Sequence, residues 1–534
     1  MEMKDLPLRR LLLAAVLVVS CSADRADQRV DDRAPPLPEQ SAAPAPEHVP
    51  PTKDAEAPPP GPCFTSAMIE PKSSSSDVVV TIHPNEGPHG ASPAKVDRRL
   101  YGTSIADWRP NDYAPNPNPT FLAYLKALRP GVLRWPAGHR SQEYIWERGG
   151  GDQHGDFTLT AAHIDAFIAL AKAVSAEPLF AINVKRGSPG VAASLVRYLN
   201  VEKGYGVRFF QIGNEPDLTD GITQSPSVYA ADLVRFVDAM RAVDPNIRII
   251  GPELLTGAHV GGIHKTTDWM TPILAETGKR INGISWHYYP LDSGQPNPSS
   301  SAIVSVPHLF QESASDWPPA GMSFVNTIMP TLATLRDTHA PGAEIWVTEF
   351  AEDPGPAAGT GISDIVAGAL WSIDALGRYA EHAPGAVLRW IFQTVEGHGY
   401  GLLDGQHRPR ASYAALWLHA RHVGDRYVRT ETSALTKVAA HAAFREDGAL
   451  TLVLVNKTEE EARVHVDLGG HCVSGATSLT FEGDGLTSKS FRIEGKPFDE
   501  ATATNGLPPT PIATDALFDT VLPKTSIRVI GFSP

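Results

Sequence analysis

The architecture of this chain can be inferred from residues 208–217, which read RFFQIGNEPD. The first half of this segment is a short apolar run, typical of a buried strand in a parallel sheet. Pro216 has no backbone N–H and pushes Glu215 towards an extended conformation, so the strand cannot continue beyond this point. Glu215 is therefore predicted to lie at the carboxyl end of a strand.

A second segment has the same form, since residues 344–350 read EIWVTEF and place Glu349 near the end of another apolar strand. The two glutamates are about three strand–helix units apart. A barrel enzyme keeps its chemistry at the carboxyl ends of its strands. If both strands belong to one eight-stranded barrel, the two carboxylates can face each other across its mouth.

Strand and helix patterns alternate over about 300 residues, the size of a (β/α)₈ barrel. Strands are predicted near residues 100–105, 131–135, 177–184, 208–213, 247–251, 283–288, 344–349 and 387–394, with helices near 161–174, 228–243, 326–338 and 362–379. The alternative is a doubly wound sheet. No Gly-x-Gly-x-x-Gly follows the first strand, which argues against its dinucleotide-binding version.

Short strands separated by turn residues after residue 425 indicate a β-sandwich. The predicted fold is therefore α/β, a (β/α)₈ TIM barrel with a C-terminal β-sandwich domain. The predicted segments are a lipoprotein signal peptide (1–20), a Pro/Ala-rich disordered linker (21–75), an N-terminal strand that pairs with the sandwich (76–95), the catalytic barrel (96–424) and the sandwich (425–534).

The N-terminus has the form of a targeting segment. Arg9 and Arg10 precede an apolar run over residues 11–19 that is too short to span a membrane. Val18-Val19-Ser20-Cys21 resembles a bacterial lipobox, which implies cleavage before Cys21 and lipidation of that cysteine; a plain secretory signal is the alternative. We expect an exported protein held by its lipid alone at a bacterial membrane, with the outer membrane or cell surface as destination.

Two cysteines remain, Cys63 and Cys472. Export permits a disulfide between them, and two free thiols are an equally open interpretation.

The composition restricts the possible partners. A net charge of −14 argues against nucleic acid, whose phosphates would be repelled. The spacing of His139, His287 and His398 fits no metal-ligand pattern, so neither a metal nor another cofactor is expected. The expected partner is a carbohydrate substrate.

Hydrolysis of a glycosidic bond with retention needs two carboxyl groups about 5–5.5 Å apart, against about 6.5–9.5 Å for inversion. We assign Glu215 as the acid/base and Glu349 as the nucleophile. Glu215 should have a raised pKa because of the negative charge of Glu349. Glu352 and Asp353 lie beyond the strand end and are not assigned a catalytic role.

The motif Gly213-Asn214-Glu215-Pro216, together with Thr348-Glu349, resembles the clan of retaining (β/α)₈ glycoside hydrolases known as clan A. The resemblance implies an acid/base and a nucleophile at these two glutamates. It also implies that Asn214 contacts the 2-hydroxyl of the sugar.

Two further segments extend the resemblance over about residues 95 to 425. Leu133-Arg134-Trp135-Pro136-Ala137-Gly138, followed by Tyr144-Ile145-Trp146, is similar to the second strand of the α-L-arabinofuranosidase and β-glucuronidase/heparanase branches, although Ala137 departs from their usual Arg-x-Pro-Gly-Gly. This implies that Arg134 supports the nucleophile. Trp286-His287-Tyr288-Tyr289 resembles the sixth strand of the clan, which implies that Tyr289 hydrogen-bonds the nucleophile and that His287 lines the site.

Residues near other strand ends complete the predicted site. Trp390 and Gln393 are expected in the pocket. Four more residues near the rim are interpreted as substrate contacts or loop residues: Glu143, Glu253, Glu396 and His398. Lys185 and Arg186 could bind a uronic acid, or they could be a solvated loop pair.

The predicted function is a retaining glycoside hydrolase acting on poly- or oligosaccharides or glycoconjugates outside the cytoplasm. The alternatives are a surface glycan-binding lipoprotein without catalysis and a transglycosylase on the same scaffold. Arabinofuranosides, glucuronides, xylosides and glucans all remain open as substrates.

Overall fold

The structure is a computed structural model of the chain. It describes residues 63–68, 78–93, 95–113, 116–151, 153–218, 225–257, 262–291, 305–311, 324–353, 361–395 and 400–534. The predicted signal peptide with Cys21, almost all of the predicted linker, and the rim residues Glu396 and His398 lie outside the described residues.

Twenty strands are described: β1 (Val78–His83), β2 (Gly102–Ser104), β3 (Val132–Trp135), β4 (Tyr144–Trp146), β5 (Phe157–Leu159), β6 (Glu177–Ile182), β7 (Phe209–Ile212), β8 (Arg248–Gly257), β9 (Gly283–Tyr289), β10 (Glu344–Phe350), β11 (Ala386–Arg389), β12 (Arg426–Thr432), β13 (Val438–Phe444), β14 (Leu450–Asn456), β15 (Ala462–Asp467), β16 (Gly475–Gly483), β17 (Phe491–Ile493), β18 (Thr510–Ile512), β19 (Asp519–Leu522) and β20 (Ser526–Ser533).

The described α-helices are α1 (Pro110–Tyr113), α2 (Pro119–Leu128), α3 (Ala161–Ala173), α4 (Pro189–Val196), α5 (Pro226–Arg241), α6 (Gly262–Thr277), α7 (Val306–Gln311), α8 (Phe324–His339), α9 (Val366–Glu381), α10 (Ala411–His422) and α11 (Glu500–Asn505). Several begin at a side-chain cap. Ser188 and Ser225 accept hydrogen bonds from the first turns of α4 and α5, and each is followed by a proline. Both features favour a helix start, because the caps satisfy N–H groups that lack partners within the helix.

Eight parallel strands close into a barrel in the order β2-β3-β6-β7-β8-β9-β10-β11, with β11 pairing back to β2. A layer of apolar side chains fills its interior: Val132, Leu179, Phe209, Ile250, Trp346, Ala386 and Leu388. A packed interior of this kind leaves the carboxyl ends of the strands as the place for a site. The predicted barrel is confirmed, although its last strand ends at Arg389 and not at residue 394.

The remaining long strands form a second, β-sandwich-like domain, which confirms the rest of the predicted fold. Its curled sheet has the order β17-β16-β20-β14-β13-β12-β1-β15-β19, and β18 pairs with β16. The early strand β1 lies between two late strands, antiparallel to β12 and parallel to β15. The sequence left the pairing of the two later cysteines open, and the structure contains a disulfide between Cys63 and Cys472.

Helix α9 packs between the barrel and the second domain, which buries nearly its whole length. Its Asp374 lies at the centre of a buried charge cluster: it accepts hydrogen bonds from Arg378 on the same helix and from Lys457 (2.9 Å), and it contacts His441 of β13 (3.3 Å). Four hydrogen-bonding groups can share the cost of removing their charges from water. The cluster joins the two domains through specific polar contacts.

Within the described residues, no helix is both long enough and apolar enough to cross a membrane.

Candidate active site

The predicted catalytic and supporting residues meet at the carboxyl ends of the barrel strands. Arg134 lies on β3, Asn214 and Glu215 follow β7, His287 and Tyr289 lie on β9, and Glu349 lies on β10. All six are buried. Residues far apart in the sequence are thus brought to one point by the closure of the barrel.

The end of β7 turns sharply to present Glu215. Gly213 and Glu215 both have left-handed backbone conformations, with φ of +83° and +46°, so the extended conformation expected for Glu215 is wrong. Glycine adopts such values without steric cost, whereas glutamate does so only where the surrounding structure holds it. The N–H of Glu215 donates to the carbonyl of Glu253 on the neighbouring strand (2.9 Å), which fixes the turn.

Two strand irregularities aim further carboxylates into the mouth. The pairing of β10 with β9 shifts register between Val347 and Glu349, and the pairing of β8 with β9 shifts between Gly251 and Leu254. In each case one extra residue is inserted, as in a β-bulge, which redirects side chains next to many active sites. The bulges place Glu349 and Glu253 on the inner face.

Glu349 is held by two donors. The Arg134 guanidinium donates to its Oε1, and the Tyr289 hydroxyl donates to its Oε2 at 2.5 Å. Arg134 also donates to Gln211 and to Oδ1 of Asn214 (2.6 Å). Hydrogen bonds to a carboxylate and a paired guanidinium favour the ionised form, so these contacts suit a nucleophile.

The amide nitrogen of Asn214 is buried and has no hydrogen-bond partner among the described residues. A buried donor without a partner is costly, and such groups are expected where a ligand completes them. The donor therefore suits a sugar hydroxyl beside the two carboxylates.

Two histidines contact Glu215. His287 is fully buried and its Nδ1 lies 2.8 Å from Oε1 of Glu215, while Nε2 of His139 lies 3.1 Å from Oε2. The His139 side chain is 54% exposed, so it stands on the solvent side of the carboxylate. His287 Nδ1 also lies 3.5 Å from Oε2 of Glu349 and thus touches both glutamates.

The two glutamates are close. One oxygen of Glu215 and one of Glu349 lie within 4.8 Å of each other, together with a ring nitrogen of His287. One nitrogen of His287 lies between them, since its Nδ1 is 2.8 Å from Glu215 and 3.5 Å from Glu349. The spacing matches the shorter separation of retaining glycosidases, because an inverting pair stands further apart to admit a water molecule.

The expected raised pKa of Glu215 is wrong for the unliganded site. Burial raises the pKa of this carboxyl, but the hydrogen bond and charge of His287, with the charges of His139 and Arg134, hold the pKa below its ordinary value. Burial lowers the pKa of His287, yet the charge of Glu349 and the hydrogen bonds to Glu215 and Glu253 raise it to about 10. An imidazolium next to Glu215 reverses the effect expected from Glu349.

The two predicted pocket residues that follow the last barrel strand, β11, have different surroundings. Trp390 stacks on Tyr400, with ring centroids 6.3 Å apart, and lies 6.4 Å from Trp108, so it belongs to an aromatic wall. Its indole N–H has no hydrogen-bond partner among the described residues. Gln393 is buried and donates to the carbonyl of Asp404 (2.8 Å), which anchors the loop after β11.

Other candidates are placed outside the cluster. Glu352 is fully buried, accepts from Ser372 and pairs with Arg389 at 2.5 Å. Arg186 pairs with Asp156 at 2.7 Å. These contacts agree with a non-catalytic role for Glu352 and with a loop position for Arg186.

Glu253 belongs to the site in a position that the sequence did not predict. The sequence predicts a substrate contact or a loop residue near the rim, but Glu253 lies within β8, is fully buried and contacts His287 Nε2 at 3.0 Å. A signal for it existed, since Gly251-Pro252-Glu253 follows an apolar run just as Glu215 does.

Comparison with known proteins agrees with the glycoside hydrolase resemblance of the sequence. No protein-family model matches the chain. One relative is the intracellular exo-α-(1→5)-L-arabinofuranosidase 1 of Bacillus subtilis strain 168, 25% identical over 233 residues, which cover 36% of this chain and 46% of that protein. The match thus spans about half the length of that relative. Another is the intracellular exo-α-L-arabinofuranosidase of Bacteroides ovatus, 22% identical over 435 residues, covering 72% of this chain and 82% of that protein.

Solved structures show the same fold. AbfB, a family 51 α-L-arabinofuranosidase from Bifidobacterium longum, superposes with a TM-score of 0.64 at 16% identity, covering 86% of this chain and 100% of that one. CelM2, a bifunctional glucanase-xylanase from a metagenome library, superposes with a TM-score of 0.60, also at 16% identity and with the same coverage. The resemblance indicated by the two strand-end glutamates is confirmed: this chain has the fold of the (β/α)₈ glycoside hydrolases and is related in sequence to α-L-arabinofuranosidases among them.

Proposed function

We propose that this protein is a retaining glycoside hydrolase that releases α-L-arabinofuranosyl residues from oligosaccharides, polysaccharides or glycoconjugates outside the cytoplasm. The observation that carries the proposal is the pair of buried strand-end carboxylates within 4.8 Å of each other, both in reach of one histidine nitrogen. The choice of sugar rests on the two arabinofuranosidase relatives.

In the first step, an oxygen of Glu349 attacks the anomeric carbon of the sugar. The bond from that carbon to the leaving oxygen breaks, and the leaving oxygen takes a proton from Glu215. In the second step, the Glu215 carboxylate takes a proton from water, whose oxygen attacks the same carbon. The bond to Glu349 then breaks and its carboxylate is restored, so configuration is retained after two inversions.

The surrounding groups support these roles. Arg134 and Tyr289 each donate a hydrogen bond to one oxygen of Glu349, and the Arg134 guanidinium balances its negative charge. The free amide N–H of Asn214 is offered to the sugar 2-hydroxyl, and Trp390 with Tyr400 supplies an apolar wall for a sugar face. Hydrogen bonds that strengthen at the 2-hydroxyl contribute to glycoside cleavage in this class of reaction.

The location is part of the proposal and rests on the N-terminal sequence. We propose export and anchoring at a bacterial membrane through lipid on Cys21, in contrast to the two relatives, whose names call them intracellular. Expression of the full chain in a bacterium with labelled fatty acid should give a labelled membrane protein. A Cys21→Ser variant should lose the label; a label that persists, or a wild-type protein without one, would refute the anchor.

The catalytic proposal is tested by covalent trapping. The wild-type protein is incubated with activated 2-deoxy-2-fluoroglycosides, beginning with the α-L-arabinofuranosyl compound, and the modified residue is mapped by mass spectrometry. We expect one glycosyl group on Glu349, none in Glu349→Gln, and an unchanged adduct in Glu352→Gln, a matched loss of a buried carboxylate. An adduct on another residue, or no adduct together with no hydrolysis of any aryl glycoside, would contradict the proposal.

A further inference from the structure

Glu253 is a third buried carboxylate of the site, and the proposed chemistry does not use it. It occupies the bulge in β8 with a left-handed backbone, φ +62°. Its N–H donates to the Ser285 hydroxyl (3.0 Å), and its carbonyl accepts from the N–H of Glu215 (2.9 Å). A strained backbone held by neighbours on both sides fixes where this carboxylate points.

The Glu253 side chain contacts the far side of the His287 ring. Its Oε2 lies 3.0 Å from Nε2, while Oε1 of Glu215 lies 2.8 Å from Nδ1. A neutral imidazole has one N–H and one acceptor nitrogen, so it can donate to only one of two carboxylates. An ionised acceptor at each nitrogen requires the imidazolium, which donates from both.

The Glu253 charge is poorly compensated if its role is only structural. Its Oε1 is buried and has no hydrogen-bond partner among the described residues, and the guanidinium of Arg134 is 3.9 Å from Oε2. A buried carboxylate with so few partners is costly. A neutral side chain of the same shape would accept the same hydrogen bond from His287 at a lower desolvation cost.

The charges that face His287 can be counted. Among the described residues, the enclosed charged groups at the ring are three carboxylates and two cations, His287 included: Glu215, Glu253, Glu349, Arg134 and His287. Tyr289 and the half-exposed His139 also lie at this site. With Glu215 protonated, two anions face two cations and the enclosed group is neutral. When Glu349 becomes esterified and Glu215 gives up its proton, the enclosed group is neutral again.

We propose that Glu253 is a positioning residue that holds His287 as an imidazolium, so that the ring donates to Glu215 in every step of the reaction. The inference rests on the proposed glycosidase function. A permanent donor on Glu215 makes this group a stronger acid and restricts activity to acidic pH, where Glu215 carries its proton. Glu253 thereby keeps this donor charged without touching the substrate.

The test removes the charge and keeps the shape, with Glu253→Gln. The full chain is labelled with ¹⁵N in the histidine rings, and the His287 signals are assigned by their loss in His287→Gln. In the wild type both ring nitrogens should be protonated at pH 8. In Glu253→Gln the ring should lose one proton at a pH at least about one unit lower than in the wild type, a tenfold change in proton affinity.

The second readout is the dependence of kcat/KM on pH. The basic limb, which Glu215 sets at acidic pH, should stay close to the wild-type limb in Glu253→Gln, because His287 still carries its proton in that range. Glu352→Gln, a matched loss of a buried carboxylate outside the cluster, should keep the wild-type profile. Glu253→Asp retains the charge and should keep the His287 ring protonated. Its ring titration provides the measurement if the glutamine variant does not fold.

The outcomes separate the two proposals. A His287 ring that loses its proton at the same pH in Glu253→Gln as in the wild type would overturn the positioning role. A wild-type protein that cleaves no glycoside would refute the proposed function, while the histidine spectra would still report on Glu253.

Discussion

The hydroxyl of Tyr289 should matter more for the second step of the reaction than for the first. It donates to Oε2 of Glu349 at 2.5 Å, and Tyr289 is buried. Burial, followed by the charges of Glu349 and Glu215, raises the pKa of this phenol above its ordinary value, so it remains a donor at any working pH. In Tyr289→Phe the contact is lost, and among the residues that the structure describes Glu349 keeps only Arg134 as a strong donor.

The size of the effect follows from the type of hydrogen bond. A hydrogen bond to a charged group contributes about 1.5–3 kcal/mol, which corresponds to about 10- to 150-fold in a rate. The bond stabilises the free carboxylate, which is the starting state of glycosylation and the departing group of deglycosylation. We therefore expect deglycosylation to slow by this factor, while kcat/KM, which reports glycosylation, changes little.

The assay is rapid-mixing hydrolysis of a 4-nitrophenyl glycoside of the sugar identified by trapping. Tyr289→Phe should give a burst of one nitrophenolate per protein followed by a slow steady rate, with kcat and KM lowered together. Tyr413→Phe is the matched control, because its buried hydroxyl donates to the carbonyl of Tyr124 (2.7 Å) in α2. A raised KM at unchanged kcat, or equal losses in kcat and kcat/KM without a burst, would refute the reasoning.

Two further predictions concern packing and stability. In Gly138→Ala, the added methyl group would lie 2.6 Å from the Trp390 ring at a residue with φ +55°, so kcat/KM should fall by about tenfold or more. The control is Gly150→Ala, at φ +63° with open space around it, which should leave kcat/KM unchanged. Equal kinetics in both variants would contradict the expected displacement of the Trp390 ring. Burial lowers the pKa of His441, but contacts led by the charge of Glu381 raise it from 6.5 to about 9, so its stabilisation is complete below pH 6.5 and lost as pH rises through about 9. Urea unfolding midpoints should fall over this range by the equivalent of about 3 kcal/mol, less so in His441→Gln, and a wild-type midpoint that is flat from pH 6 to 10 would contradict the prediction.

Much of the barrel could be predicted from local patterns. An apolar run that ends in Gly-Asn-Glu-Pro identifies both a buried strand and the position where it stops, because proline and glycine act on their own backbone and on their immediate neighbours. The strand that carries Glu349 is identified by its apolar run over residues 344–350. Parallel strands of one barrel point the same way, so two strand ends located separately must lie at one face.

Glu253 shows where this reasoning stops. Residues 247–251 were predicted as a strand that ends before the glutamate, but β8 continues to Gly257 through a bulge. Whether a strand continues past a proline such as Pro252 depends on how it pairs with the neighbouring strand, here β9. The register of β8 against β9 decided that the carboxylate lies under His287 and not on the rim.

The direction of the pKa shift at Glu215 was also beyond the sequence. The sequence predicts a negatively charged neighbour, Glu349. In the structure Glu215 also has a positively charged neighbour, since Nδ1 of His287 lies 2.8 Å from its Oε1. Electrostatic effects depend on distance and on burial, and neither is encoded within a strand. The disulfide between Cys63 and Cys472 is a similar case, since either pairing or free thiols was compatible with the spacing alone.

The sequence by itself determined which segments become strands, where the strands of the two proposed catalytic glutamates end, and which chemical groups those ends present. Each of these follows from interactions within a few residues along the chain. The tertiary structure alone decided the partners of those groups: the histidine between two carboxylates, the carboxylate beneath it, and the early strand β1 between β12 and β15. Such contacts join residues far apart in sequence, so they exist only once the barrel and the second domain have closed.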